Sequence, residues 1–142
     1  MKMASMPIAV LMQHRAPAHR WAGDTWAAVG IVPDRGGLPA LQVLDDDYYL
    51  VAGLELELHR DENEGYFENC VAPEPKVFVL WRMEDGRALP VRASVSYVEG
   101  TRMFDSGEDA DGVPMPAPVH AWLSDYLRTH YQPQPRRGRQ HG

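Results

Sequence analysis

Residues 45–83 read DDDYYLVAGLELELHRDENEGYFENCVAPEPKVFVLWRM. Within this stretch Leu50, Ala52, Leu54, Leu56 and Leu58 recur at every second position, with Val51, Gly53, Glu55, Glu57 and His59 between them. Successive strand side chains point to opposite faces, so this period predicts a strand with one leucine face and one mostly polar face. Leucine and glutamate favour helix by intrinsic propensity, but a helix would scatter these leucines around its circumference. Tyr48 and Tyr49, as neighbours in a strand, cannot both point inward. Asp61 is placed to cap a short helix over 62–69, whose early glutamates suit the positive end of the helix dipole. Tyr66 and Phe67 would anchor that helix to the sheet. Pro73 and Pro75 then break the chain, and VFVLW within 76–83 predicts a strand covered on both faces.

Working outward, residues 7–12 predict a first strand, 16–23 a loop, and 24–32 a second strand ended by the turn cluster 33–37. A short strand is expected over 38–44, with Pro39 confining it to an edge or to its first residues. Glu84-Asp85-Gly86-Arg87 is a hairpin turn signal, after which 88–95 should return antiparallel. Ser96-x-x-Glu99 is a capping box opening a helix to about residue 105, with Gly107 near its end. The acidic run 108–112 reads as a loop, and 113–118, with alternating prolines, as extended chain. The last helix starts near Pro118, a residue suited to a first turn. On it Val119, Trp122, Leu123, Tyr126, Leu127 and His130 form one apolar and aromatic stripe. That stripe is expected to cover the leucine face of the central strand. The fold expected is therefore α+β: a twisted antiparallel sheet of about five or six strands, open to partial closure into a barrel. It is packed by the C-terminal helix and one or two short helices. One domain over 1–131 and a disordered basic tail over 132–142 are expected.

At 142 residues the chain is long enough to bury a core. The net charge is −6, and Arg136, Arg137 and Arg139 stand in the tail, so the body is more acidic still. An acidic body argues against a nucleic-acid surface. No apolar run reaches the ~20 residues of a membrane span, and the short apolar run 7–12 lacks the features of a signal peptide. The expectation is a cytoplasmic protein with no membrane partner. Cys70 is the single cysteine, so neither an internal disulfide nor a cysteine zinc cluster can form.

Three sets of residues suggest chemistry. Glu55, Glu57 and His59 share one strand face, where carboxylate and imidazole suit iron, manganese or zinc; the alternative is a solvated or covered polar face. Cys70 with His59, His120 or His130 would form a nucleophile–base pair; the alternative is a small buried hydrophobe. Trp21 and Trp26, with the tail arginines Arg136, Arg137 and Arg139, would serve a protein partner, since Trp, Tyr and Arg anchor interfaces; ordinary packing is the alternative. A pocket between the sheet and the last helix, lined by Trp122 and Tyr126, would mark a small-ligand binder. No phosphate-binding loop or calcium loop is present, and the residues call for no cofactor.

Several pieces appear in a recognisable order: WAAVGIVP at 26–33, LELELHR at 54–60, EGYFEN at 64–69, VPMP at 113–116, and Trp122 through His130-Tyr131 before a basic tail. Across nearly its whole length the chain resembles a proteobacterial domain-of-unknown-function family. Members of that family are often encoded near molybdenum-dependent formate dehydrogenases and their maturation factors. The resemblance implies a non-catalytic accessory or assembly role with a molybdoenzyme subunit or maturation factor as partner. It carries over no catalytic residues. A small metal-dependent enzyme and a small-ligand-binding domain remain the alternatives.

Overall fold

The computed structural model describes residues 1–132. Seven strands and three helices follow in the order β1 Lys2–Arg15, β2 Thr25–Pro33, β3 Leu41–Val43, β4 Tyr48–His59, α1 Asn63–Cys70, β5 Lys76–Glu84, β6 Arg87–Ser94, α2 Tyr97–Asp105, β7 Asp109–Pro114 and α3 Ala117–His130. The strands form two antiparallel sheets rather than one. The first has the order β2-β1-β4-β3 and the second β6-β5-β7. Among the described residues no closed barrel forms. The sheets share one core, in which β2 meets β7 on one side and β4 meets β6 on the other.

The central strand is where the alternation reads least simply. Along β4 the buried residues are Tyr49 and Val51, then Leu56 and Leu58. The parity changes because Ala52 and Gly53 together face the single residue Ala9 of β1, between the pairs Val10–Val51 and Ile8–Leu54. Gly53 carries φ 99°, a backbone shape that favours glycine, and an extra residue there is a bulge. Leu50 and Ala52 therefore do not continue the face of Leu54, Leu56 and Leu58, and the single leucine face predicted over 50–58 is two half-faces joined at the bulge. β1 itself extends well beyond the predicted 7–12, because its outer residues pair with β2 and β4 instead of relying on their own apolarity.

β5 is covered on both sides, as its apolar run requires. Val77, Val79 and Trp81 enter the main core, while Phe78 and Leu80 meet Met103 of α2 on the other face. Fully burying each such side chain contributes about 1.5–3 kcal/mol relative to leaving it exposed. The turn Asp85-Gly86 has φ 51° and 81°, positive at both positions as a two-residue hairpin turn demands. The α2 cap forms by half: Glu99 N–H donates to Ser96 Oγ at 3.3 Å, while Ser96 N–H goes to Ser94 Oγ and not to the Glu99 carboxylate. That carboxylate pairs with Arg92.

Two local expectations fail. Asp61 does not cap α1; it lies in a short 3₁₀ turn, Arg60–Glu62, and α1 begins without a side-chain cap. The acidic run 108–112 is not a loop, since residues 109–114 form β7, which pairs with β5 from Lys76–Pro114 to Trp81–Asp109. Its backbone hydrogen bonds come from β5, whatever its own low strand propensity. The last helix meets α1 and adds its buried residues to the main core shared with the sheets. Val119, Leu123, Tyr126 and Leu127 are buried, but His130 is exposed and Trp122 only half-buried. The side chain of Asn69 joins three segments: it donates to Lys76 O at 2.7 Å and Val95 O at 2.8 Å, and accepts from Lys76 N–H at 2.9 Å.

Candidate functional site

The two seams between the sheets differ, and the difference creates the site. At the β2–β7 seam Asp111 Oδ2 accepts both the Ala28 N–H at 2.9 Å and the Trp81 indole N–H at 2.8 Å. One carboxylate thus ties β2, β5 and β7 together. At the β4–β6 seam one side-chain hydrogen bond links the two strands among the described residues. The Tyr49 hydroxyl donates to Ala88 O at one end. Near the other end, the Tyr66 hydroxyl of α1 accepts the His59 N–H at 2.8 Å and donates to Glu57 O at 3.3 Å, which ties α1 to β4. Burial pushes both hydroxyls up to about 12, against the pull of Arg87 on Tyr49 and of the backbone bond to His59 on Tyr66. Both therefore stay protonated and able to donate across the physiological range.

Between these ties lies a groove of about 370 Å³. Its β4 bank is Gly53, Leu54, Glu55, Glu57 and His59, and its β6 bank is Val91–Ser94, with Tyr66 and Glu99 at one end. The lining is mixed. Glu57 Oε1 lies 3.2 Å from His59 Nε2, and its other oxygen 3.8 Å from Lys2 Nζ. Glu99 is held by Arg92. Glu55 is exposed and makes no ion pair among the described residues. Val91 is 40% exposed at the rim.

Glu55, Glu57 and His59 thus share the polar face of β4, but they do not converge as three ligands. Glu57 is engaged by His59 and Lys2, and Glu55 stands apart. Among the described residues no group of three or more His, Cys, Asp or Glu side chains could hold a metal ion. Residues two apart on a strand lie ~6.5 Å apart along it, and among the described residues no other element completes a ligand group with them.

Of the three histidines weighed against Cys70, the fold brings only His120 close. Cys70 Sγ lies 3.6 Å from His120 Nε2 and 3.4 Å from Ser124 Oγ. The same Nε2 lies 3.0 Å from the Cys70 carbonyl, which can only accept, so Nε2 carries the hydrogen. The remaining lone pair, on Nδ1, faces Ser124 Oγ at 3.5 Å. His120 therefore presents no basic nitrogen directly to the thiol. Beside this cluster, between α1 and α3, is an apolar cavity of about 270 Å³ lined by Phe67, Cys70, Leu127 and Tyr131 among others. The pocket expected around Trp122 and Tyr126 does not match it: Tyr126 is buried, with its hydroxyl donating to Asn63 Oδ1 at 2.6 Å.

The two tryptophans part company. Trp21, in the loop after β1, is 79% exposed, with the Arg20 guanidinium 4.7 Å from its ring. Trp26 is half-buried on β2; His14 stacks on it at 3.9 Å and Tyr49 meets it edge-on at 6.3 Å. Packing explains Trp26, and of the two only Trp21 is exposed. Arg136, Arg137 and Arg139 lie outside the described residues. The groove is a feature that sequence reasoning did not anticipate; the one signal for it was Gly53, whose place inside a strand marks a bulge or a close approach.

Among the described residues no helix is long and apolar enough to cross a membrane. No curated protein and no solved structure matches the chain. A family described as a protein of unknown function, DUF3305, matches residues 7–140. The chain, matched over nearly all its length, belongs to the DUF3305 family.

Proposed function

We infer that this protein is a non-catalytic, cytoplasmic accessory or assembly factor that acts by binding a larger enzyme. The partner proposed is a molybdenum-dependent formate dehydrogenase subunit or one of its maturation factors. The observation that carries the binding role is the groove between β4 and β6, open to solvent and bordered by strand edges that have no neighbouring strand among the described residues. The choice of partner rests on the family resemblance and the genes it implies nearby. The exposed Trp21 offers a second anchor. A small-ligand role has weaker support, since the apolar cavity between α1 and α3, about 270 Å³, falls below the ~300 Å³ at which small-molecule sites begin.

Affinity purification of the tagged full-length protein from its native organism tests this reading. Recovery of a molybdoenzyme subunit or maturation factor is the expected result. Repeated recovery of the protein alone, under conditions where the formate dehydrogenase is expressed, overturns it.

A further inference from the structure

We propose that the groove between β4 and β6 accepts an extended, basic segment of a partner protein, which adds as a strand to the open edge of β4. This inference rests on the protein-binding reading above and names where and how binding occurs. β4 pairs with β1 along one edge over nearly its whole length, but on the other edge β3 covers only Tyr49, Leu50 and Val51. One more backbone bond, Ala52 N–H to Ala40 O at 3.0 Å, extends that cover. Among the described residues no strand covers the second edge from Gly53 onward. Among the described residues β6 pairs only with β5, leaving its outer edge without a strand, and both edges border the same groove.

Strand geometry decides which groups face the groove. In an antiparallel pair the N–H and C=O of one residue point to the same edge, and successive residues alternate. The Tyr66 hydroxyl takes the His59 N–H and the Glu57 carbonyl, so these groups point away from β1. No register shift interrupts β4 between Leu54 and Leu58. The backbone N–H and C=O of Glu55, and the N–H of Glu57, therefore point into the groove as well. An added strand would bond to these groups and stop where the Tyr66 hydroxyl already occupies the ladder. The open stretch from Gly53 to Glu57 spans about 13 Å at ~3.3 Å per residue, a short reach for strand addition, in which main-chain bonds give affinity and alternate side chains give specificity.

The lining selects the occupant. Glu57 and Glu99 already have cationic partners, whereas Glu55 has none among the described residues, so an incoming lysine or arginine gains most opposite Glu55. Leu54 and the exposed Val91 offer apolar contact beside it. The segment that fits is extended, with basic and small apolar residues in alternation. Open edges are ordinarily a liability that proteins cover or blunt; here the opposite seam is tied by Asp111 while this one is left accessible.

The test uses the full-length protein and three synthetic peptides: alternating arginine and valine, alternating glutamate and valine, and the arginine–valine peptide N-methylated at every second residue. Fluorescence anisotropy measures binding, and hydrogen exchange reads the Glu55 and Glu57 amides. The arginine–valine peptide should bind at least ~10-fold more tightly than the glutamate–valine peptide and slow exchange at both amides. N-methylation on the edge facing β4 should abolish binding, and Glu55→Lys should reverse the charge preference. Equal binding by the N-methylated peptide, unchanged exchange at Glu55 and Glu57, or an unchanged preference in the Glu55→Lys variant overturns the proposal. So does concentration-dependent slowing of those amides without peptide, which assigns the groove to a second copy. The accessory role fails separately: native purification that recovers the partner equally with wild type and Glu55→Lys rejects the groove alone, whereas peptide binding without a recovered molybdoenzyme partner rejects the proposed context alone.

Discussion

Replacing Asp111 with alanine tests whether the two sheets are held together as described. Asp111 Oδ2 is the acceptor for two donors from different elements, the Ala28 N–H and the Trp81 indole N–H. Ala28 is 4% exposed and Trp81 8%, so neither can turn to bulk water once the acceptor is gone. A buried donor left unpaired costs about 1–3 kcal/mol. Because Asp111 itself is only part-buried, water will recover some of this, and the expected loss for Asp111→Ala is about 2–4 kcal/mol. Asparagine keeps an oxygen where both bonds converge and loses only the charge, so Asp111→Asn should cost about 1 kcal/mol. Urea unfolding followed by tryptophan fluorescence measures both. With a slope of ~2 kcal/mol per M the alanine variant's midpoint should fall by ~1–2 M and the asparagine variant's by ~0.5 M. In a Trp81→Phe background the alanine variant's loss should shrink, because one of the two donors is already absent. Equal losses for alanine and asparagine, or an alanine loss under ~0.5 kcal/mol, would refute the clamp.

Gly53→Ala should destabilise by about 1–2 kcal/mol through backbone strain alone, because φ is 99° and an added Cβ meets nothing within 4 Å; an unchanged melting temperature would remove the bulge from the account of β4. Gly65→Ala places a Cβ 2.3 Å from Ser96 Oγ, the oxygen that caps α2 and bonds Glu62. The crowding, about 1–3 kcal/mol, should outweigh the ~1 kcal/mol gained in helix propensity, and a stabilised variant by thermal denaturation would count against that close packing. Burial holds Tyr49 and Tyr66 protonated up to about 12, above the unfolded value near ~10. Their contribution is therefore complete below about pH 10 and is lost as pH rises through about 12, at up to ~1.4 kcal/mol per pH unit for each tyrosine. Tyr66→Phe should flatten the fall in stability between about pH 10 and 12, and an identical slope in wild type and variant would argue against this linkage.

Much of the fold was legible because its signals are local. The period of two along β4, the apolar run of β5, the Asp85-Gly86 turn, the Ser96 cap and the stripe of α3 each follow from residues close together in sequence. The α+β class follows from those elements, and so does the outward placing of Glu55, Glu57 and His59. Non-local pairing was not legible. β7 is a strand although Asp109, Asp111 and Gly112 disfavour one, because β5 supplies its partner bonds from more than twenty residues away. The change of face at Gly53 depends on Ala9 standing alone opposite two residues, a register that only the paired strand fixes. For the candidate site the contrast is sharper still. From sequence, Glu55, Glu57 and His59 form a polar strand face whose partner is unknown. The division into two sheets, with Asp111 tying one seam and the other left open, turns that face into one bank of a groove. Away from a bulge, the alternation of a strand's side chains is determined by its own sequence, but which of its edges stays unpaired is determined by the rest of the chain.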